Sequence, residues 1–171
     1  MELHKLAGAG LILASSAWAG LHAALRLRRT HEQLRDLRSA LELMSAEIRF
    51  ASTPFAPLCR RAGEGREKSV RRFFERLAAA GEQSDREETE LVRGACAEAS
   101  LVLPEPATRS LERLFESFGR CDREGQLRQL SLTAEELSRL TEELRGLMEG
   151  RCRSYRVLGL SAGAAILLLV L

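Results

Sequence analysis

The chain has 171 residues, about the length of one domain, and 45% of them are apolar while 29% are charged. Its net charge is only +2, which excludes a broad positive surface for neutralising phosphates, so no nucleic-acid partner is expected. The charges are almost all confined to about residues 26–156, which predicts a polar central region between two apolar ends.

The amino-terminal apolar segment, Leu6 to Leu25, is long enough to cross a bilayer. About 20 helical residues rising about 1.5 Å each cover a hydrocarbon layer of roughly 30 Å. The alternative is a signal peptide cleaved after Ala19, since Ala17-Trp18-Ala19 fits the small-x-small cleavage pattern, and it would give a secreted, singly anchored protein. Three arginines follow closely, and positive charge after an apolar segment resists translocation. We favour an uncleaved transmembrane anchor over residues 1–27.

The central region, residues 28–154, is predicted to be helical throughout, because no segment shows the alternation and β-branched enrichment of a strand. Its first helix carries apolar residues at spacings of three and four, the pattern of a coiled-coil or bundle helix. These residues are Leu34, Leu37, Leu41, Met44 and Ile48. Thr53-Pro54 ends this helix and opens a short one that reaches Ala62, and the loop Gly63 to Lys68 follows.

Three more helices are predicted before residue 120. The first carries an apolar stripe that stops at Gly81, a C-cap. The second follows a capping box formed by Ser84 and Glu87, and Pro104 and Pro106 break the chain after it. The third ends at Gly119. Their apolar residues are Val70, Phe73, Phe74 and Leu77, then Leu91, Val92 and Ala95, then Leu111, Leu114, Phe115 and Phe118.

The longest predicted helix begins at Asp122, whose side chain can cap it. Along one seam of this helix, the spacing between mainly apolar residues alternates between three and four. These residues are Leu127, Leu130, Ala134, Leu137, Thr141, Leu144 and Met148. A second stripe, formed by Leu132, Leu140 and Leu147, predicts that this helix packs against more than one neighbour. The helix can continue into the carboxyl-terminal apolar segment.

That segment, Val157 to Leu171, is apolar on all sides and is predicted to span the membrane with Tyr155 as an interfacial anchor, over residues 155–171. Arginines flank the central region at both ends, which by the positive-inside rule places that region in the cytoplasm. Small residues four apart, which favour close helix packing in lipid, are Ser16 with Gly20 and Gly159 with Gly163. The predicted fold is all-α: an antiparallel helical bundle between an amino-terminal and a carboxyl-terminal transmembrane helix.

No catalytic or metal site is predicted. The cysteines, Cys59, Cys96, Cys121 and Cys152, lack the spacing of a zinc site or a redox pair. In the last helix, glutamates lie between the leucines of the apolar seam, as is typical of the solvent-exposed face of a helix. A faint likeness to a phosphate-binding loop at Gly63 to Ser69 lacks the second glycine and the preceding strand. We therefore expect a non-enzymatic protein without cofactors.

The turn between the last two predicted helices is the candidate site for contact with a neighbour. Gly119 would end one helix in a left-handed conformation and Asp122 would cap the next. Arg123 and Gln126 would then remain to contact a neighbouring element or protein.

The chain resembles the stage III sporulation protein AB family of endospore-forming bacteria. The resemblance runs from the glycine-rich first segment through Leu37-Arg38-Ser39-Ala40-Leu41, Glu47-Ile48 and Thr53-Pro54. It continues in Gly119 to Gln126, where the family has a run like GxSDREDQ, and in Tyr155 to Gly159, where it has YRxLG. This chain departs from the family at Cys121, which replaces serine, and at Gly125, which replaces an acidic residue. Between about Gly63 and Pro106 it matches poorly.

The resemblance implies a subunit of a membrane complex that the mother cell assembles around the forespore as part of a channel. The family's cytoplasmic domain is similar to the platform proteins of type II secretion and type IV pilus systems, which dock a cytoplasmic ATPase. The implied partners are that secretion-type ATPase, the other membrane subunits of the sporulation channel complex, and the lipid bilayer. The alternative is a membrane-anchored coiled-coil adaptor or sensor that works without an ATPase.

Overall fold

The computed structural model describes the backbone of residues 2–51, 53–81, 88–118 and 120–170. It describes the side chains of Trp18 and of residues 22–51, 53–81, 91–118 and 120–148. All regular secondary structure in these residues is α-helical, which confirms the predicted all-α class. The helices are α1 (Glu2–Phe50), α2 (Phe55–Gly63), α3 (Lys68–Gly81), α4 (Glu88–Glu98), α5 (Glu105–Phe118) and α6 (Arg123–Val170).

The chain forms two compact units. One consists of Met1–Arg29 and Leu144–Leu171, and the other, the helical domain, consists of Thr30–Glu143. In the part of the chain with described side chains, no helix has a stretch long and apolar enough to cross a membrane. The predicted span 155–171 and most of Leu6 to Leu25 lie outside those side chains, so both spans stay predictions.

The seam of α1 lies in the core of the helical domain, as its spacing predicts. Leu34, Leu37, Leu41 and Met44 are fully buried, and Ile48 is nearly so. The predicted break after α1 is also present, but Pro54 lies just before α2 rather than within it. Its ψ of 155° is extended, so Pro54 is the N-cap residue of α2.

Four phenylalanine rings from three helices pack together, three of them buried in the core and the half-buried Phe55 at its edge. The rings of Phe55 and Phe118 have centroids 5.3 Å apart, which joins α2 to α5. The rings of Phe73 and Phe115 meet edge to face at 6.2 Å, which joins α3 to α5.

Helix α3 ends at Gly81, as predicted, while the predicted capping box at Ser84 and Glu87 lies outside the described residues.

The segment between α4 and α5 is held by backbone and side-chain hydrogen bonds. The N–H of Leu101 donates to the carbonyl of Cys96 at 3.0 Å, and Ser100 has a φ of 56°, as in a Schellman cap. The buried Gln33 of α1 accepts a hydrogen bond from the N–H of Val102 at 2.8 Å. The predicted break is present at residues 99–104, and Pro106 itself lies in the first turn of α5, where a helix needs no N–H donor.

Within the helical domain, α1 and α6 run antiparallel. A guanidinium nitrogen of Arg38 donates to the hydroxyl of Ser138 at 3.1 Å, and Arg123 at the start of α6 donates to the carbonyl of Arg49 at the end of α1.

The second stripe of α6 is only partly buried. Leu140 is 6% exposed, but Leu132 is 51% and Leu147 is 60% exposed, so those two leucines of the stripe do not pack against a neighbour within the described part of the chain.

Candidate interaction site at the α5–α6 junction

The start of α6 is capped by Asp122. The carboxylate oxygen Oδ1 of Asp122 accepts a hydrogen bond from the N–H of Gly125 at 3.0 Å, while its carbonyl accepts the N–H of Gln126 at 2.9 Å. The first four N–H groups of a helix have no partner within the helix, and a side-chain acceptor at the N-cap satisfies one of them. Asp122 is itself exposed, so the cap lies at the surface.

The turn itself is closed by Gln126. Its amide nitrogen Nε2 donates to the carbonyl of Phe118 at 2.7 Å and, more weakly, to that of Cys121 at 3.4 Å. The carbonyl of Ser117 accepts the N–H groups of Arg120 and Cys121, each at 3.0 Å. These bonds satisfy carbonyls that the end of α5 would otherwise leave unpaired. Gln126 therefore fixes the path of the chain from α5 into α6, and it is not free to meet another protein through this amide nitrogen.

Arg123 contacts a third element. Its guanidinium donates to the backbone carbonyl of Arg49, in the last turn of α1. The carbonyl end of a helix carries partial negative charge, so a cation there is favourable. The sequence predicted that Arg123 would meet a neighbour, and in the structure it contacts α1 of the same chain.

Gly125 is needed for close packing at the junction. A Cβ atom on Gly125 would lie 2.9 Å from Oδ1 of Asp122 and 3.0 Å from Cβ of Cys121. Both distances are shorter than ordinary contacts, so a side chain at position 125 would require the capping carboxylate of Asp122 to move away or the turn to shift. The two departures from the resembled family pattern, Cys121 and Gly125, are thus neighbours in the turn, since a side chain at position 125 would contact that of Cys121. Sequence reasoning did not include Gly125 or Cys121 among the site residues, because the pairing of positions 121 and 125 across an N-cap becomes visible only in three dimensions.

The remaining predicted site residues lie at positions where the backbone or the side-chain environment is not described. Gly119 lies between the described residues Phe118 and Arg120, and nothing is described of its conformation. Ser16 and Gly20 lie in α1, and Gly159 and Gly163 lie in α6, at positions without described side chains. Their packing in a membrane stays a prediction.

A charged pair at the edge of the core links α4 to α5. The carboxylate of Glu112, whose side chain is 10% exposed, lies 2.5 Å from Nε of Arg93, which is 59% exposed. The hydrogen bond that Arg93 donates to the carboxylate of Glu112 raises the pKa of Arg93 above its usual value, and the charge of Glu112 adds to this effect. The pair satisfies a nearly buried carboxylate, which is a structural role.

Two of the cysteines are buried in the domain core. Burial raises the pKa of the Cys59 thiol to about 12 and that of the Cys96 thiol also to about 12, the latter with a further contribution from the charge of Glu112. A thiol is a nucleophile only as its thiolate. Both side chains are therefore neutral at physiological pH, and they fill the core as small apolar groups.

Four glutamates in the middle of α6 are engaged in surface pairs or face solvent. Arg139 contacts Glu136 at 2.7 Å and also pairs with Glu143, and the hydrogen bond from Arg139 lowers the pKa of Glu136. Glu135 and Glu142 are exposed. Among the described residues, no three His, Cys, Asp or Glu side chains are grouped so that they could hold a metal ion.

The fold and the junction define a class: a helical-bundle protein in which capping and contact residues organise the packing of its helices. Comparison with known proteins identifies which bundle this is. The family model described as Stage III sporulation protein AB matches residues 5–171, so this chain belongs to that family. It is a sporulation protein of a family not known for enzymatic activity, and membership implies partners among the other subunits of the sporulation complex.

A solved structure supports the fold. A protein described as stage III sporulation protein AB is similar with a TM-score of 0.62 and 19% sequence identity, over 71% of this chain and 97% of that chain. At this identity the likeness establishes the shared fold. No curated protein is significantly similar to this chain.

Proposed function

We propose that this chain is a non-enzymatic membrane platform subunit of a sporulation-specific, secretion-like channel complex between mother cell and forespore, and that it docks a cytoplasmic ATPase. The observation that carries the proposal is the family match over residues 5–171, which includes both apolar ends as well as the helical domain. The resemblance of the family's domain to secretion platform proteins supports the ATPase as partner. That part is an analogy between folds, so it needs a direct test.

The proposed topology has two transmembrane spans, both termini outside the cytoplasm, and the helical domain in the mother-cell cytoplasm. Its support is the pair of arginine clusters that border the domain, Arg26, Arg28 and Arg29 on one side and Arg151, Arg153 and Arg156 on the other. The exposed Glu64, in the turn after α2, is a suitable reporter position. We expect Glu64→Cys to react with a membrane-impermeant thiol reagent only after cells are permeabilised. Reaction in intact cells would reverse the proposed orientation.

The first span is proposed to persist in the mature protein. The intact mass of the chain purified from membranes tests this, because cleavage after Ala19 would leave a chain that begins at Gly20. The uncleaved mass supports a two-span platform. The shorter mass would instead leave a singly anchored, secreted protein, which could not present its domain to a cytoplasmic ATPase.

The ATPase interaction is tested by co-purification. A tagged full-length chain, extracted in mild detergent from sporulating cells, should retain both the secretion-type ATPase and the other membrane subunits of the complex. The matched control is the same tag on a chain that lacks residues 30–143 but keeps both ends. Recovery of the membrane subunits without the ATPase from the full chain would contradict docking and favour the alternative, a membrane-anchored adaptor or sensor.

A further inference from the structure

A groove runs along the surface of the helical domain between α5 and α6. Its floor and walls include Arg109 and Arg113 from α5 and Gln129, Leu132 and Glu136 from α6. A second hollow adjoins it towards the junction and shares Arg113 and Gln129 with the first. The α5 residues that line the two hollows, 106–117, span about 16 Å of helix, which matches about three turns of a bound helix.

Arg113 is the uncompensated charge of this groove. The arginines on either side are paired within α5 or its flank, Arg109 with Glu105 at 3.1 Å and Arg120 with Glu116 at 3.7 Å. Arg113 is exposed where the two hollows meet, and among the described side chains it has no ion pair.

Glu136, across the groove on α6, does not supply the missing charge. Its carboxylate contacts Arg139 at 2.7 Å, and the hydrogen bond from Arg139 lowers the pKa of Glu136, so this carboxylate is ionised and already paired. The groove therefore presents one positive charge that a carboxylate from elsewhere could pair with.

Leu132 gives the groove an apolar contact beside that charge. Its side chain is 51% exposed, whereas the neighbouring α6 residues Leu130, Thr133 and Leu137 are at most 5% exposed and form the packed face of the helix. A single exposed leucine is ordinary on a protein surface. In this groove, however, the exposed leucine lies beside an arginine, a residue type that is enriched at interfaces, so the groove offers apolar area and a charge together.

We propose that the α5–α6 groove binds an acidic amphipathic segment of another protein, which places an apolar side chain on Leu132 and a carboxylate on Arg113. Charge complementarity selects this occupant. A nucleic acid would need several phosphates neutralised, and the groove offers one uncompensated cation. The proposal does not depend on the ATPase as docking partner, because it concerns the chemistry of the bound segment.

Site-specific crosslinking in the full-length chain tests the proposal in sporulating cells. Leu132→p-benzoylphenylalanine should give a discrete adduct with another protein on irradiation. The matched control is the same substitution at the exposed Ser131, which lies on the groove between α1 and α6 instead. In the adduct, the crosslinked peptide should carry an aspartate or glutamate within one helical turn of the attachment point.

Substitutions that change the charge at position 113 test whether Arg113 contributes to binding of the crosslinked protein. Arg113→Glu should reduce the adduct yield about tenfold or more, as loss of a central charge pair does, whereas Arg113→Lys should retain most of it. The control for surface charge reversal is Arg72→Glu, at an exposed arginine of α3, which should leave the yield unchanged. Unchanged thermal unfolding of the Arg113 variants shows that the domain is intact.

Four outcomes would overturn the proposal. They are no adduct at position 132, an adduct between two copies of this chain, an adduct with nucleic acid, and an adduct that survives Arg113→Glu in a folded protein. The platform function is tested separately by co-purification with the ATPase, so either proposal can fail while the other stands.

Discussion

Nε of Arg93 lies 2.5 Å from a carboxylate oxygen of Glu112, and this pair joins α4 to α5 at the edge of the core. The two side chains differ in burial: Glu112 is nearly buried, while Arg93 is mostly exposed. A nearly buried carboxylate that loses its charged partner keeps the cost of its desolvation. Glu112 therefore depends on Arg93 more than Arg93 depends on Glu112.

Arg93→Met should consequently lower the denaturant midpoint of the domain clearly, while Arg72→Met, at an exposed arginine of α3, should hardly change it. Adding Glu112→Gln to Arg93→Met should restore part of the loss, since the amide needs no counter-charge. The measurement is urea unfolding of the full chain in detergent micelles, followed by circular dichroism. Equal effects of the two arginine variants would show that the pair contributes nothing to stability.

Ser100 at the end of α4 predicts a stabilising substitution. Its φ of 56° lies in the left-handed region, which costs a non-glycine residue about 1–2 kcal/mol, and the hydrogen bonds of the cap use backbone atoms alone. Ser100→Gly should therefore raise the free energy of unfolding by about 1 kcal/mol. Ser100→Ala is the control and should give no gain, because alanine meets the same steric conflict. A glycine variant less stable than the original chain would contradict the cap geometry.

We expect a thiol reagent to modify the buried cysteines slowly, because the domain must open before the reagent can reach them. Because burial raises the pKa of Cys59 and Cys96 to about 12, neither is a thiolate at pH 8 in the folded chain. In a Cys152→Ser background, iodoacetamide should modify the half-buried Cys121 first, with Cys59 and Cys96 reacting only after denaturant is added. Rapid modification of Cys59 in the folded chain, measured by peptide mass spectrometry, would contradict its burial.

The same pKa shifts set the direction of a pH effect. A group whose folded pKa is raised favours the folded state most below its unfolded pKa, and that contribution is lost as the pH rises towards the folded value. Here the window runs from about 9, the ordinary thiol value, to about 12. Stability should fall through this window, and Cys59→Ala with Cys96→Ala should make the fall shallower than in the parent chain.

The sequence predicted the core of this fold well where a helix is amphipathic. The spacing of Leu34 to Ile48 along α1 matches its buried face, because a regular period of 3.6 residues shows directly in the order of side chains. It was less informative at Pro106, where proline suits both a break and the first turn of a helix. Contacts between distant residues, such as Arg123 with the carbonyl of Arg49, depend on how the helices pack and leave no local pattern.

At the candidate site, too, the local feature was predicted from the sequence and the contacts between distant residues were not. The capping position of Asp122 is local, and a carboxylate just before a helix is enough to predict it. The role of Gln126 in closing the turn was not predicted, because its acceptors are backbone carbonyls that every residue has. The sequence did not predict the exposure of Leu132, since a stripe of apolar residues indicates a packing face without saying whether the partner is in the same chain.

Asp122 gives a prediction that separates a cap from a functional carboxylate. Because Oδ1 accepts the N–H of Gly125, Asp122→Ala should cost about 1 kcal/mol of stability, whereas Asp122→Asn and Asp122→Ser keep an acceptor and should be nearly neutral. Urea unfolding and sporulation efficiency are measured for each variant. If Asp122→Asn unfolds normally but abolishes sporulation, the carboxylate acts as a contact or a functional group.

The close approach of Cys121 to the Cβ position of residue 125 predicts that these two positions are energetically coupled. A Cβ at position 125 would lie 3.0 Å from Cβ of Cys121 and 2.9 Å from Oδ1 of Asp122, so Gly125→Asp should destabilise the junction by steric overlap and by repulsion between two carboxylates. The resembled family pattern carries serine and an acidic residue at these two positions. A serine oxygen is smaller than a sulfur atom and can hydrogen-bond a nearby carboxylate.

Cys121→Ser with Gly125→Asp should therefore be more stable than the sum of the two single changes, by about 0.5–1 kcal/mol, the lower part of the range for residues in contact. The double-mutant cycle is measured by urea unfolding of the full chain in detergent, with Gly146→Asp as a control at an exposed α6 glycine that has open space around its Cβ position. Cys121→Ser with Gly146→Asp should be additive. Additivity at positions 121 and 125 as well would mean that the turn relaxes around a side chain at position 125, and that the two departures from the family pattern are independent.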